Sequence, residues 1–199
     1  MGTTPSTSSL SEGGLPHRKA TESARIAMGV FIFTEVMMFA GFVSAFVIVQ
    51  SNAIPGTWPP PGQPRLPIES TAVNTLALLA SGVLLFIAGR RFKRDGALAA
   101  RRWMSPALIL GGIFVLGQGR EWFGLIKQGM TMTSSQLGSF FYLIIGMHAL
   151  HAIAAIVALF WALNELNAGR LTVARFGAVQ LFWFFVVLIW PVLYALVYL

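Results

Sequence analysis

The sequence predicts an all-α membrane protein, a bundle of five transmembrane helices with a cytoplasmic N-terminus and an external C-terminus. Of the 199 residues, 56% are hydrophobic and 11% are charged, and the mean hydropathy is +0.72. Soluble domains carry charge at about a quarter of their positions, and disordered chains combine low hydrophobicity with high charge. Five apolar segments also reach the roughly 20 residues that a membrane-spanning helix needs. These observations exclude an ordinary soluble domain and a disordered chain.

The predicted spans follow a polar N-terminal segment. Residues 1–23 are rich in Ser, Thr and Gly and lack the apolar region of a cleavable signal. We therefore expect a flexible cytoplasmic tail (1–23) followed by one five-helix domain (24–199). The predicted spans are Ile26–Val49, Thr71–Ala88, Met104–Ile126, Leu137–Leu163 and Phe176–Leu199.

Lys and Arg alternate between the two sides of the predicted bundle. The tail (counted up to Arg25), the second loop and the fourth loop hold 11 of them, whereas the other loops and the C-terminus hold 2. Because cytoplasmic segments carry the excess of basic residues, this pattern gives the predicted orientation. It also explains the net charge of +7 without nucleic acid, since the basic residues flank apolar runs and form no patch. The absence of cysteine excludes disulfides and thiolate metal sites.

The first loop, residues 51–69, is rich in proline and cannot form a helix. We expect a stiff, extended crossing, which is either a surface linker or a structured cap over the outer helix ends. Trp58 stands beside prolines and is suited to anchor this loop at the level of the lipid headgroups.

Glu35 lies near the middle of the first predicted span. An ionised side chain at that depth costs roughly 2.5–3.5 kcal/mol, so Glu35 should face protein or a polar cavity, or be protonated. One hypothesis makes it a proton-linked carboxyl or a lipid or partner contact. The other makes it a protonated carboxyl that is hydrogen-bonded to a neighbouring helix.

His148 and His151 lie near the middle of the fourth span and, three residues apart, share one helix face. Two histidines and a glutamate raise the possibility of a metal site, but the chain has no paired Glu-x-x-His motif of the diiron type. Two histidines on one helix face also cannot supply both axial ligands of a haem. Hydrogen bonding across helices is the commoner role of such residues.

A polar cluster of Gln118, Arg120 and Glu121, followed by Trp122, ends the third span. Adjacent Arg120 and Glu121 point in different directions around a helix, so they need not pair. The cluster is typical of an interfacial polar belt with an aromatic anchor. It would also suit a docking surface for a partner or a lipid headgroup.

Several motifs follow one another along the chain. Glu35 lies in a Thr-Glu pair within the first span, and Trp58-Pro-Pro-Pro-Gly62 forms the first loop. The others are Asn74–Gly82, Gln118–Trp122, Gly138–Phe141 and Gly146–His151. In this order, over roughly residues 24–199, they resemble subunit III of the haem–copper oxidases, most closely of cytochrome c oxidases. The chain resembles the five-helix bacterial form of that family.

This resemblance implies a subunit with no haem, copper or catalytic residue of its own. It implies packing against catalytic subunit I, which holds the haems and copper, in a complex with subunit II and, in some complexes, subunit IV. Cytochrome c would be the electron donor, and structural phospholipids would be bound. The complex would be a proton-pumping oxidase of the bacterial cytoplasmic membrane, whose proton uptake and durability this subunit supports. Residues expected to make lipid or interior polar contacts are Arg25, Glu35, Trp58, His148 and His151.

The last span departs from the family pattern Trp-His-Phe-Val-Asp. Phe184 and Val187 stand at the two polar positions, and Pro191, which follows, should kink the helix or free a carbonyl. Ala149 stands where the family has a second glycine, and an arginine common near the end of the fourth helix falls around Asn164 or Glu165. These differences indicate a divergent branch of the family.

Two alternatives remain beside the oxidase hypothesis. One is the related accessory subunit of a nitric oxide reductase, although the Trp-Pro-Pro loop and the Asn74–Gly82 helix favour the oxidase. The other is a stand-alone transporter or lipid-binding protein that uses Glu35 and the histidines. The sequence shows no inverted repeat of the transporter kind.

Overall fold

The computed structural model describes residues 15–54, 57–60 and 62–199, without the side chains of 15–22, 24 and 25. Among these residues there is no strand. Each helix contains a stretch long and apolar enough to cross a membrane, which confirms the predicted all-α, five-span class. The helices are α1 (Leu15–Ser51), α2 (Ile68–Asp95), α3 (Ala97–Lys127), α4 (Gln136–Asn167) and α5 (Val173–Tyr198).

The helices extend beyond the predicted spans. The predicted basic loop 89–103 is wrong, because its residues form the end of α2 and the start of α3, with only Gly96 between the two helices. Lys and Arg are good helix formers, so the chain stays helical until Gly96, whose φ of 85° reverses its direction. Likewise α1 begins at Leu15, within the predicted tail, whereas residues 1–14 lie outside the described residues.

None of the described residues between α1 and α2 is helical, as the prolines predict. Pro55, Gly56 and Pro61 lie outside the described part of this loop. Trp58 is half-buried, and its ring packs edge-on against Phe46 of α1, with 5.9 Å between ring centroids. Because Phe46 is itself buried, this contact joins the loop to the core. Such a contact is what a structured cap over the helix ends would make.

Helix α5 is central, because it packs against α1, α2 and α4. Four of its side chains donate hydrogen bonds to α2 at successive levels of the bundle. These bonds are Gln180 Nε2 to Leu85 O (3.0 Å), Trp183 Nε1 to Ser81 Oγ (2.9 Å), Trp190 Nε1 to Thr75 Oγ1 (2.8 Å) and Tyr194 Oη to Ile68 O (3.0 Å). Bonds of this kind between membrane helices contribute about 0.6 kcal/mol each on average. Together they fix the register of α5 on α2.

The core lies where α2, α3, α4 and α5 meet, and its largest members are Trp183 and Trp190, both fully buried. Gly111 of α3 makes room for Trp183, because a Cβ atom at that position would overlap the indole ring. At the neighbouring Gly112, by contrast, an added Cβ atom would meet no other atom within 4 Å. The contact of the Trp183 side chain of α5 with α3 therefore depends on the absence of a side chain at 111.

Candidate functional site

Glu35 of α1 and His151 of α4 contact each other inside the bundle. The Oε2 atom of Glu35 lies 2.9 Å from Nε2 of His151, and the two side chains are 17% and 11% exposed. Three aromatic rings surround the imidazole, those of Phe39, Phe182 and Phe185, with centroids 5.6, 6.4 and 6.0 Å away. The acidic group of α1 thus has as its hydrogen-bonding partner an imidazole that apolar rings surround.

The hydrogen bond of the other ring nitrogen of His151, Nδ1, shows that this nitrogen is protonated. The Nδ1 atom is 2.7 Å from the carbonyl oxygen of Met147, and a carbonyl only accepts, so Nδ1 carries a hydrogen. At the other nitrogen, either a protonated Glu35 donates to Nε2 or a protonated imidazole donates to the carboxylate. Both arrangements keep a hydrogen bond between α1 and α4.

His148 occupies a different environment from His151, although both are buried on the same helix. Its ring lies 4.8 Å from the Trp190 ring of α5 and 6.3 Å from the Phe114 ring of α3, measured between centroids. Neither ring nitrogen has a hydrogen-bond partner among the residues that the structure describes. Within the described part of the chain, no group of three or more His, Cys, Asp or Glu residues is placed to hold a metal ion.

The polar cluster at the end of α3 divides between the interior and the surface. Glu121 accepts hydrogen bonds from Thr71 Oγ1 of α2 (2.6 Å) and from Gln118 Nε2 (3.2 Å). Trp122 is half-buried and packs against Tyr142 of α4, with ring centroids 5.8 Å apart. Arg120 is exposed and, with Glu121, lines a surface pocket between α2 and α3.

Of the residues expected to share lipid or interior polar contacts, the structure brings Glu35 and His151 together. Trp58 lies in the loop against Phe46, and His148 faces α3 and α5. The side chain of Arg25 lies outside the described residues.

Sequence reasoning missed the hydroxyl groups of α2. Thr75 and Ser81 accept hydrogen bonds from the two buried indoles of α5, and Thr71 binds Glu121. Thr71 and Thr75 stand four residues apart, and Trp183 and Trp190 stand seven apart, so each pair lies on one helix face. That spacing was the available signal.

A groove of about 640 Å³ runs between α1 and α5. Its lining is apolar and includes Val36, Ala40, Phe184, Leu188 and Val192. Phe184, at one of the two positions where the family pattern is polar, therefore faces this groove. Val187, at the other, is buried in the core, where Gly82 of α2 lies against it. Pro191 lies inside an uninterrupted α5.

Comparison with known proteins identifies the family. A model of the family described as cytochrome c oxidase subunit III matches residues 10–199. The cytochrome c oxidase subunit 3 of Corynebacterium diphtheriae is 34% identical over 173 residues, covering 85% of this chain and 84% of the relative. The probable cytochrome c oxidase subunit 3 of Mycobacterium leprae is 33% identical over 172 residues, with the same coverage.

The likeness extends beyond bacteria. The cytochrome c oxidase subunit 3 of the rabbit, Oryctolagus cuniculus, is 32% identical over 181 residues, which cover 87% of this chain and 68% of the relative. These matches favour the oxidase over the nitric oxide reductase and transporter alternatives. With its five membrane-spanning helices and its match over nearly the whole sequence, the chain belongs to the cytochrome c oxidase subunit III family.

Proposed function

We propose that this chain is a non-catalytic subunit of a proton-pumping oxidase that transfers electrons from cytochrome c to O₂. It stabilises the catalytic subunit and supports proton uptake during sustained turnover. The haems and copper lie in the partner subunits. The observation that carries this proposal is that the polar groups within the spans serve mainly to join helices.

The use of these polar groups is structural. Glu35 binds His151, Trp183 binds Ser81 and Trp190 binds Thr75, and each of these bonds joins two different helices. A transporting site instead lines a water-filled cavity or forms a relay along the path of its substrate. The arrangement therefore supports a rigid accessory subunit.

The proposed contacts with subunit I, subunit II and a fourth subunit use the outer faces of the bundle. Only 11% of the most apolar window of α1 is buried within the chain, against 50% of the corresponding window of α5. Helix α1 thus offers the larger uncovered apolar surface. Exposed Arg120, near the end of α3, is suited to an acidic group on a partner or to a lipid phosphate.

Structural phospholipids suit the groove between α1 and α5. Its apolar lining and its volume of about 640 Å³ fit acyl chains, and it opens along the side of the bundle. We place the chain in the bacterial cytoplasmic membrane with its N-terminus inside. In this orientation the basic end of α2 and the basic start of α3 lie in the cytoplasm.

A mild-detergent pull-down of the tagged chain from its native membrane tests the proposal. We expect a large polytopic partner and haem a bands in the reduced-minus-oxidised spectrum, together with O₂ consumption driven by reduced cytochrome c. An untagged strain processed identically controls for carry-over. A preparation with neither haem nor a large partner would contradict the proposal, as would haems b and c together with NO reduction.

A further inference from the structure

We propose that a pocket between the end of α2 and the start of α3 binds the headgroup of an anionic phospholipid. The pocket has a volume of about 410 Å³, which lies within the roughly 300–1,000 Å³ typical of small-ligand pockets. Two residues of α2 and four of α3 line it, namely Leu84, Arg91, Ala99, Arg102, Trp103 and Pro106. The site is separate from the groove between α1 and α5. It depends on the membrane-spanning fold alone, so its test is independent of the proposed role in an oxidase.

The lining residues form one stripe on each helix. On α3 they are spaced by three, one and three residues, which places all of them on one helix face. On α2, Leu84 and Arg91 stand seven residues apart, or about two turns, and also share a face. Because only Gly96 separates the two helices, these stripes lie side by side. The pocket is therefore built by two paired helices and not by a loop.

The pocket is charged at one end and apolar at the other. Arg91 and Arg102 each lie less than two helical turns from Gly96, where the chain turns back toward the membrane. Leu84 lies about two turns deeper than Arg91 in the membrane-spanning part, and Pro106 lies about one turn deeper than Arg102. A phospholipid has the same division, with its phosphate at the membrane surface and its acyl chains beneath.

The charge around the pocket favours a negative headgroup. Residues 89–103 include six basic residues and a single acidic one, Asp95. Asp95 pairs with Nη1 of Arg91 at 2.8 Å, and the remaining donors of that guanidinium are not engaged by the described residues. The guanidinium of Arg102 is exposed and has no partner in the described part of the chain. Two guanidinium groups with available donors suit a phosphate, which arginine binds through paired hydrogen bonds.

The surroundings favour an anionic lipid over the other sources of a phosphate. A zwitterionic headgroup would place its own positive group among these basic residues, whereas phosphatidylglycerol carries only a negative charge. Free phosphate would leave Leu84 and Pro106 uncovered, whereas an acyl chain packs against them. Trp103 is half-buried beside Arg102 and is suited to the headgroup level. Basic pockets between membrane helices are a known way of binding anionic headgroups.

Photo-crosslinking tests the site. The tagged chain, with the subunits that purify with it, is placed in phosphatidylcholine nanodiscs that contain a small fraction of a photoreactive phosphatidylglycerol. After irradiation, mass spectrometry of peptides locates the labelled positions. We expect labelling within residues 84–106 that unlabelled phosphatidylglycerol suppresses and inorganic phosphate does not. Photoreactive phosphatidylcholine at the same fraction should label this segment much less.

Two matched variants separate the pocket from the general attraction of a basic segment. Arg102→Gln should reduce the labelling by about fivefold, the factor that one Lys or Arg contributes near an anionic surface. Arg101→Gln makes the same change of charge at nearly the same depth. Arg101, however, lines a different hollow, with Leu166 and Asn167 of α4. We expect this control variant to be labelled nearly as strongly as the unmodified chain.

Four results would each overturn the proposal. Equal labelling by the two photoreactive lipids would remove the preference for negative charge, and displacement by inorganic phosphate would exclude a lipid-specific site. Equal losses in the two variants would indicate diffuse attraction in place of a pocket. Absence of labelling within residues 84–106 is the result expected if an acidic segment of a partner subunit covers the pocket. None of these results bears on haem content or O₂ consumption, which test the proposed function.

Discussion

Glu35 illustrates how a single partner makes an acidic residue tolerable within a membrane. On membrane-insertion scales, an ionised group at mid-membrane costs roughly 2.5–3.5 kcal/mol. His151 supplies a hydrogen bond at 2.9 Å, and phenylalanine rings pack against its imidazole. Because α1 touches α4 much less than it touches α5, this bond is a principal polar tie between α1 and α4.

Replacing Glu35 with alanine should therefore loosen α1 without preventing membrane insertion. We expect the purified Glu35→Ala complex to start turnover at nearly the normal rate and to lose activity faster during sustained turnover. Glu35→Gln is the matched control, because its amide can donate to Nε2 of His151 and retain the bond. The measurement is O₂ consumption followed over time. Equal losses of initial and lasting activity in a fully assembled Glu35→Ala complex would contradict an accessory role.

Ser81 is a second residue whose removal should have a defined cost. Ser81→Ala leaves the indole N–H of Trp183 buried without its partner at 2.9 Å, so we expect a loss of about 1 kcal/mol in stability. Ser70→Ala is the control, since Ser70 is exposed and its hydroxyl bonds to Pro67 of the preceding turn. Denaturant titration of the detergent-solubilised chain measures both, and equal stabilities would argue against a contribution from the Ser81 bond.

The contact of the Trp183 side chain with α3 depends on one small residue, Gly111. Gly111→Ala would drive a methyl group into the Trp183 ring, whereas Gly112→Ala meets open space. We expect the first substitution to destabilise the chain by about 1–3 kcal/mol through overpacking, and the second to leave stability unchanged or slightly raised by helix propensity. Thermal denaturation of the two variants side by side provides the measurement. Similar denaturation temperatures would show that α3 can shift away from Trp183 at little cost.

The helices could be predicted from sequence more readily than their ends. Mean hydropathy locates the apolar centre of each span, so all five appear in their predicted places. Mean hydropathy cannot locate the helix ends, because Arg and Lys lower the hydropathy but are good helix formers, so a helix continues through them into the headgroup region. The stretch 89–103 was thus predicted as a loop, and only Gly96 breaks the helix there.

The contacts between helices could not be predicted from a single sequence. Glu35 and His151 are 116 residues apart, and nothing in either span specifies its partner. The polar cluster from Gln118 to Trp122 is contiguous in sequence, yet the helix turns Glu121 toward Thr71 and Arg120 outward. Family resemblance indicated the importance of these positions only as an expectation, and their roles as lipid or docking contacts stay predictions.

The orientation of the whole chain in the membrane follows from its charge distribution and can be tested directly. The sequence contains no cysteine, so single cysteines can be introduced into an unreactive background. We expect Thr133→Cys, in the exposed loop after α3, to react with a membrane-impermeant maleimide in spheroplasts. Lys93→Cys, near the end of α2, should react only after the membrane is permeabilised. The reverse pattern would contradict a cytoplasmic N-terminus.

The central position of α5 has a consequence for biosynthesis. The ribosome makes this helix after α1 to α4, yet its Trp183 and Trp190 fill the core and bind the hydroxyls of α2. While α1 to α4 are entering the membrane, Ser81 and Thr75 have no indole donor, and the space occupied by Trp183 beside Gly111 is unfilled. The nascent chain must therefore remain loosely associated until its C-terminus emerges. A stop codon placed just before Val173 should yield a protein that inserts into the membrane but is rapidly degraded.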